Sequence, residues 1–220
     1  MQITQISTHI WSVKPKWIPI QVWLVKGENG CNLIDAGLPF MGKGILQAAD
    51  SLGLGPITKV LLTHGHPDHV GGLQYILKQQ QLPVFATAAE IPYAAGEKPY
   101  IEGKKSKAAL ERRQLQPLVE QDGAFEQIEG LVPYLTPGHT PGHASFFHKE
   151  DGVLLAGDLF ATKRGHLAPP VARFTTNMKQ NVESGRVVVD LQPQLLSICH
   201  GKELQNPHLQ YEAYAAAYSK

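Results

Sequence analysis

The chain has 220 residues, of which 43% are apolar and 18% are charged, and its formal net charge at pH 7 is +1. This length and composition are typical of a globular enzyme with a sizeable core, and the near-neutral charge argues against a protein that binds nucleic acid or acidic membranes. No apolar run reaches the roughly 18 residues that a transmembrane helix needs. The first residues lack the apolar core of a signal peptide. We therefore expect a cytoplasmic protein whose two cysteines, Cys31 and Cys199, are reduced thiols.

The first half of the chain alternates strand patterns with helix patterns. Apolar or alternating runs predict strands at residues 2–13, 20–25, 31–34, 59–62 and 83–87. Helical spacing predicts helices at residues 44–52 and 70–81. Strands that alternate with helices in this way indicate a layered α/β fold.

The second half begins with a polar segment, residues 88–120, which we interpret as helix and loop covering the core, as a lid or as part of a substrate pocket. Strands are predicted after it at residues 131–135, 144–148, 153–156 and 195–198. Helices are predicted at residues 176–191, despite Gly185, and from Asn206 onward. Because no repeat, low-complexity tract or linker interrupts the chain, we expect one domain over residues 1–220.

Several of the predicted strands end in a histidine or a carboxylate. These residues are Asp35, then His64, His66, Asp68 and His69, then His139 and His143, then Asp158, and finally His200. Strand ends gather along one edge of a layered sheet, where loops on a rigid scaffold usually form the active site. We therefore expect these side chains to converge although they are far apart in sequence.

The densest group, HGHPDH at residues 64–69, has the spacing of metal ligands. His64 and His66 are two residues apart in an extended segment, so both side chains lie on the same side. Asp68 and His69 follow Pro67, where the chain turns, and they approach from another direction. Imidazole and carboxylate together suit zinc, iron or manganese, and the group contains no cysteine of the kind found in zinc fingers. The pattern predicts two ligand pairs aimed at adjacent points.

The HGHPDH group resembles the HxHxDH signature of the metallo-β-lactamase fold hydrolases. The resemblance continues in LIDAG at 33–37, TPGHTPGH at 136–143, AGD at 156–158 and CHG at 199–201. These motifs cover essentially the whole chain in the family's order, so the chain is identified as a member. The resemblance implies an α/β fold in the form of a four-layer αββα sandwich, with a two-metal centre at one edge.

The resemblance also implies a role for each candidate residue. The first metal would be bound by His64, His66 and His139; the second by Asp68, His69 and His200; and Asp158 would bridge both. Asp35 would accept a hydrogen bond from a ligand histidine, as metal-bound histidines normally require. His143 is expected to support the ligands rather than to contact substrate. Cys199 is expected to point away from His200 as a small core residue.

The implied mechanism is hydrolysis by a hydroxide that bridges the two metals. Two divalent ions roughly 3.5–4 Å apart share a water and lower its pKa from 15.7 towards about 7. The two ligand aspartates leave excess positive charge, which stabilises that hydroxide for attack on a carbonyl carbon. Asp68 is the catalytic residue that would orient the nucleophile and transfer its proton. Zinc is the favoured metal, with iron or manganese as alternatives, and the bond would be an ester, lactone or thioester.

The substrate is less defined than the reaction. Glyoxalase II-like thioesterases share segments like 136–143 and 157–160, but they have a further helical region for glutathione, whereas only residues 201–220 come after the last ligand in this chain. Lactonases share TPGHTPGH, but many have tyrosine where this chain has Ala161. Lys163 and Arg164 are candidate contacts for an anionic substrate, although exposed loop residues of this kind are common.

Other functions stay open. Persulfide dioxygenases of the same fold bind one iron through positions that correspond to His64, His139 and Asp158, all present here. The additional second-metal residues favour the dinuclear hydrolase over this iron oxidoreductase. Further alternatives are a metal-dependent phosphodiesterase, a β-lactamase-like enzyme and, least favoured, a metal-binding module without activity. The expected partner is a small-molecule substrate, with no nucleic acid and no membrane, and the oligomeric state is open, a homodimer included.

Overall fold

A computed structural model describes residues 1–106, 108 and 110–218. Of the polar segment at 88–120, residues 107 and 109 lie outside this description. Contacts divide the chain into two compact units, Met1–Lys98 with Ser106–Leu118, and Pro99–Lys105 with Val119–Lys220. We describe the two units separately, and the single domain over residues 1–220 stays a prediction.

The first unit is built on a seven-stranded sheet whose strands follow chain order. They are β1 Gln2–Gln5, β2 Ile10–Lys14, β3 Val22–Lys26, β4 Cys31–Ile34, β5 Ile57–Leu61, β6 Val84–Ala86 and β7 Leu115–Pro117. Strands β1 to β4 pair antiparallel, and β4 to β7 pair parallel. Because Ile34 lies beside Leu61 in parallel strands, the residues after β4 and β5 emerge at the same edge of the sheet.

The helices of the first unit are short. They are α1 Gly42–Leu52, α2 Pro67–Val70, α3 Leu73–Gln79 and α4 Ile91–Ala94, with 3₁₀ turns at Pro39–Met41 and Arg112–Gln114. The predicted helix at 70–81 is wrong in its bounds, because the chain forms α2 and α3 with Gly71 and Gly72 between them. A side chain on Gly72 would place its Cβ 2.3 Å from the backbone oxygen of Ala36. The glycine pair therefore lets the segment after β4 approach the helices closely.

Strand β7 lies in the polar segment that we predicted as helix and loop, so that prediction is wrong at residues 115–117. Only Leu115 is buried there, whereas Gln116 and Pro117 are exposed. Proline is tolerated in an edge strand, where its missing N–H is not needed by a neighbour, and β7 is the last strand of the sheet. A short edge strand with one buried residue has no apolar pattern to detect.

The second unit contains nine strands: β8 Glu120–Gln121, β9 Ala124–Phe125, β10 Leu131–Leu135, β11 Ala144–His148, β12 Val153–Leu155, β13 Ala161–Lys163, β14 His166–Ala168, β15 Leu195–Ser197 and β16 Leu204–Gln205, counted over the described residues. They form a five-stranded sheet of order β10-β11-β12-β15-β16 and two small hairpins, β8-β9 and β13-β14. The pair β12 and β15 is parallel, with Leu155 beside Ser197. The loops after these two strands therefore begin at a common edge of the sheet.

The helices of the second unit pack on its apolar core. They are α5 Met178–Ser184, α6 Val187–Leu191 and α7 Tyr211–Tyr218, with 3₁₀ turns at Ala172–Phe174 and Pro207–Gln210. The predicted helix at 176–191 is wrong because it is broken at Gly185. A Cβ at Gly185 would lie 2.9 Å from the ring of Phe160, which also packs edge-on against Tyr214 in the core. No helix in the described part of the chain combines the length and apolarity that a bilayer crossing requires.

Candidate metal centre

The first donor group lies at the edge of the sheet where β4 and β5 end. Asp35 follows β4 and is fully buried, with a φ of 57°, a conformation that aspartate tolerates better than most residues. One carboxylate oxygen, Oδ1, accepts a hydrogen bond from the Thr63 N–H at 2.8 Å. The other, Oδ2, lies 2.7 Å from both Thr63 Oγ1 and His69 Nδ1. Asp35 thus orients His69, and its role as the support of a metal ligand stays a prediction.

Thr63 connects the same carboxylate to a second histidine. Its hydroxyl has one hydrogen, which it donates to Asp35, so it accepts from His64 Nδ1 at 3.1 Å. Both His64 and His69 are therefore protonated on Nδ1, which leaves the lone pair on Nε2, the arrangement that metal-binding histidines need. Sequence reasoning missed Thr63, although its place directly before His64 was a signal.

Replacing Thr63 by valine removes this hydroxyl without changing the side-chain volume much. Because buried Asp35 then loses a donor and His64 an acceptor, we expect the free energy of unfolding to fall by about 1–3 kcal/mol. Thr63→Ser keeps the hydroxyl and loses one methyl group, so it should cost only about 0.8 kcal/mol. Urea denaturation of the two variants measures the difference, and equal losses would contradict the assigned hydrogen bonds.

The two histidines of the HGH segment face each other, as their spacing predicts. His64 Nε2 lies 2.9 Å from His66 Nδ1, with His64 buried and His66 half-buried. Asp68 lies half-buried in the first turn of α2, which begins at Pro67. The loop between the histidines is held by Glu90, a buried carboxylate that accepts the Gly65 N–H at 2.9 Å. Sequence reasoning missed Glu90, whose only signal was an isolated acid among small and apolar residues.

The second donor group lies where β12 and β15 end. Asp158 follows β12, and Cys199 and His200 follow β15. The backbone N–H of Cys199 donates to the oxygen of Gly157 at 2.9 Å, which ties the two loops together. One donor atom each from Asp158, Cys199 and His200 lies within 4.8 Å of the others. The parallel pairing of two strands thus brings together residues about forty positions apart in sequence.

A single oxygen of Asp158 faces two imidazoles. Oδ2 lies 3.4 Å from His139 Nε2 and 3.3 Å from His200 Nε2. Thr175 Oγ1 donates to the oxygen of Val171 at 3.1 Å, so it accepts from His139 Nδ1 at 3.1 Å. With its proton on Nδ1, His139 presents a lone pair to the carboxylate oxygen. Two electron-rich atoms in this position need either a further proton or a cation between them, so the donor set fits a metal ion.

The His143 ring forms a hydrogen bond with the backbone of Asp158. Its Nε2 accepts the Asp158 N–H at 3.2 Å, and its Nδ1 lies 2.9 Å from Thr136 Oγ1. The ring is fully buried. Donation by the Asp158 N–H requires the lone pair on Nε2 and places the proton on Nδ1, towards Thr136. These contacts agree with the expected supporting role, which remains a prediction.

The loop before His139 requires glycine at position 138. Gly138 has a φ of 132°, and an added Cβ would lie 2.1 Å from the backbone nitrogen of Asn181. We expect Gly138→Ala to lower the free energy of unfolding by at least about 2 kcal/mol, from backbone strain and the clash. Gly165→Ala is the matched control, because Gly165 also has a positive φ but no atom within 4 Å of the added Cβ. It should cost only about 1 kcal/mol, and similar losses in thermal or urea unfolding would rule out the close approach.

Two residues that were predicted as substrate contacts are exposed, unlike the buried or half-buried donors. Lys163 and Arg164 are both exposed, at the tip of the β13–β14 hairpin, and their role as substrate contacts remains a prediction.

Cys199 is buried as expected. The expectation that it points away from His200 is wrong, since its sulfur lies with the donor atoms of Asp158 and His200. The loop bond to Gly157, rather than strand alternation, sets its direction.

Comparison with known proteins places these motifs in a family. Residues 15–200 match the family described as the metallo-beta-lactamase superfamily. The chain is 34% identical over 223 residues to the probable metallo-hydrolase YybB of Bacillus subtilis strain 168, with 99% of each chain covered. It is 33% identical over 194 residues to a hydroxyacylglutathione hydrolase of Rhodospirillum rubrum, a match that covers 86% of this chain and 64% of the relative.

Solved structures show the same fold. TTHA1623 in a di-iron-bound form superposes with a TM-score of 0.68 and 24% sequence identity, covering 90% of this chain and 95% of that chain.

Proposed function

Because the chain belongs to the metallo-β-lactamase superfamily, we propose that it is a dinuclear metal-dependent hydrolase that cleaves an ester, lactone or thioester bond. The predicted family and the predicted α/β metallo-β-lactamase fold are confirmed. Its relatives include a probable metallo-hydrolase and a hydroxyacylglutathione hydrolase, names that support a hydrolase acting with metal ions. The reaction, the number of metals and the substrate are the proposal.

One observation contributes most to the proposal. Asp158 Oδ2 lies 3.4 Å from His139 Nε2 and 3.3 Å from His200 Nε2, and closeness to ligands of both ions is what a bridging carboxylate would require. We assign the first ion to His64, His66 and His139, the second to Asp68, His69 and His200, and Asp158 to both. The Nδ1–H tautomers of His64, His69 and His139 support this set, because each leaves Nε2 able to bind a metal.

The side chains would divide the chemistry between them. When bound, the ions supply a water of lowered pKa as nucleophile and a Lewis acid for the carbonyl oxygen. A carboxylate oxygen of Asp68 would accept the proton of the attacking water and pass it to the leaving group. Asp35 and Thr63 would keep His64 and His69 in a fixed orientation during turnover, since both rings are hydrogen-bonded on the side away from Nε2.

Zinc is the proposed metal, because imidazole and carboxylate donors suit it. Iron and manganese are the alternatives, and the neighbouring di-iron structure makes iron the stronger of these. An iron oxidoreductase would need only His64, His139 and Asp158, so the metal content discriminates between the two functions.

Metal analysis of the purified protein, together with a substrate panel, tests the proposal. We expect about two zinc ions per chain and turnover of at least one lactone, ester or thioester that stops on chelation and returns with added zinc. One iron per chain with sulfide-dependent oxygen uptake would instead establish the oxidoreductase. Phosphodiesters and β-lactams belong in the panel. Turnover of those substrates alone would identify the protein as a phosphodiesterase or a β-lactamase-like enzyme instead.

The substrate panel should include acyl thioesters of glutathione. The match covers 64% of the length of the hydroxyacylglutathione hydrolase. Faster turnover of glutathione thioesters than of simple acyl thioesters and lactones would assign that relative's substrate class to this chain, and the opposite order would exclude it.

A further inference from the structure

We propose that Cys199 is a further metal ligand, whose Sγ binds the ion held by Asp158 and His200. This inference rests on the proposed function, because it concerns the same metal centre. It adds a thiolate to a donor set that, judged from the sequence motifs, contains only imidazoles and carboxylates.

The scaffold places the thiol with the other donors. Cys199 lies just beyond β15, and its backbone N–H is bound to Gly157, the residue before Asp158. The preceding backbone bond, from the Ala156 N–H to the Ser197 oxygen at 2.9 Å, continues the same parallel pairing. Two consecutive inter-loop hydrogen bonds therefore fix the register of Cys199 against Asp158.

The distances are close to those of a coordinated group. A zinc ion bound tetrahedrally through sulfur at about 2.3 Å and nitrogen or oxygen at about 2.1 Å has those two atoms about 3.6 Å apart. Donor atoms of Asp158, Cys199 and His200 already lie within 4.8 Å of one another. A shift of about 1 Å, well within the reach of side-chain rotation, converts the cluster into a coordination sphere. Cys199 is 2% exposed, so water competes little for the sulfur.

The added ligand changes the chemistry of the centre. Two divalent ions with two aspartates keep two positive charges, whereas a thiolate reduces this to one. A less positive centre lowers the pKa of the bound water less strongly. A soft sulfur donor also favours zinc or iron over manganese at this position.

The other cysteine is a matched control. Cys31 is fully buried in β4, where burial, with a smaller effect of the Asp50 carboxylate, raises the pKa of its thiol to about 12. It stays protonated and is a structural thiol. Any signal from a metal–sulfur bond must therefore come from Cys199.

Cobalt(II) reconstitution with absorption spectroscopy tests the inference, because a thiolate ligand adds an intense near-ultraviolet charge-transfer band to the weaker visible bands. We expect this band in the wild type and in Cys31→Ser. In Cys199→Ser it should be lost while cobalt is still bound and the visible bands remain. A wild-type cobalt protein without the band, or Cys199→Ser with the band, would overturn the inference and leave the hydrolase proposal intact.

X-ray absorption of the zinc-loaded wild type gives a test that needs no variant. A sulfur scatterer at about 2.3 Å from zinc is expected, and a first shell of nitrogen and oxygen alone would refute the inference. A wild-type protein that binds neither cobalt nor zinc would refute the proposed function and this inference with it. The two failures are therefore distinguishable.

Discussion

Asp158→Ala is expected to abolish hydrolysis, with kcat/KM lower by at least about 10³-fold. The carboxylate oxygen lies 3.4 Å and 3.3 Å from two imidazole nitrogens, and its removal deletes the one donor assigned to both ions. The metal content should fall below two ions per chain for the same reason. Steady-state kinetics and elemental analysis of the same preparation measure both effects.

The control for Asp158 is an exposed aspartate of the second unit. Asp190 Oδ1 lies 3.6 Å from Arg186 Nε, and Asp190 is not in the assigned donor set. Asp190→Ala should keep two ions per chain, with kcat/KM within about twofold of the wild type. Undiminished turnover in Asp158→Ala with two ions bound would refute the bridging assignment.

His66→Ala is expected to lower kcat/KM by about 10²-fold or more and to remove one of two ions. His66 Nδ1 lies 2.9 Å from His64 Nε2, so these nitrogens would share one ion. The loss of His66 leaves that ion fewer donors than a catalytic zinc site normally has. The second ion, assigned to other residues, should be retained.

Metal titration by competition with a chelating dye measures the loss in His66→Ala directly. His166→Ala, which removes an exposed histidine on the β14 strand, should bind metal and turn over like the wild type. If His66→Ala binds two ions with wild-type affinity, the assignment of the first metal is wrong, whatever its activity.

The strands that were predicted with the correct bounds are marked in the sequence at both ends as well as in the middle. Residues 31–34, 131–135 and 144–148 are apolar runs bounded by turns or polar residues, and all three match strands of the structure. The failures lie where contacts override the local pattern. Strand β7 has one buried residue, and the helix at 176–191 is interrupted at Gly185, where an added Cβ would lie 2.9 Å from the Phe160 ring.

The candidate donor residues stand out in the sequence because ligand chemistry restricts their types. Imidazoles and carboxylates directly after apolar strands are conspicuous, and parallel pairing of β4 with β5 and of β12 with β15 explains how strand ends group them. The residues that orient the donors had only weak local signals, such as the place of Thr63 directly before His64. Thr63, Glu90 and Thr175 have types that occur throughout any chain, and their roles depend on hydrogen bonds to residues distant in sequence.

The sequence by itself determined the family and the chemical types of the proposed metal ligands, because these depend on motifs whose residues are adjacent or evenly spaced. Only the tertiary structure decided which nitrogen of His69 and of His139 bears the proton and where Cys199 points. Tautomers depend on the partners Asp35 and Thr175, and the direction of Cys199 depends on its backbone bond to Gly157. Each of these contacts joins segments far apart in the chain, so no local pattern contains them.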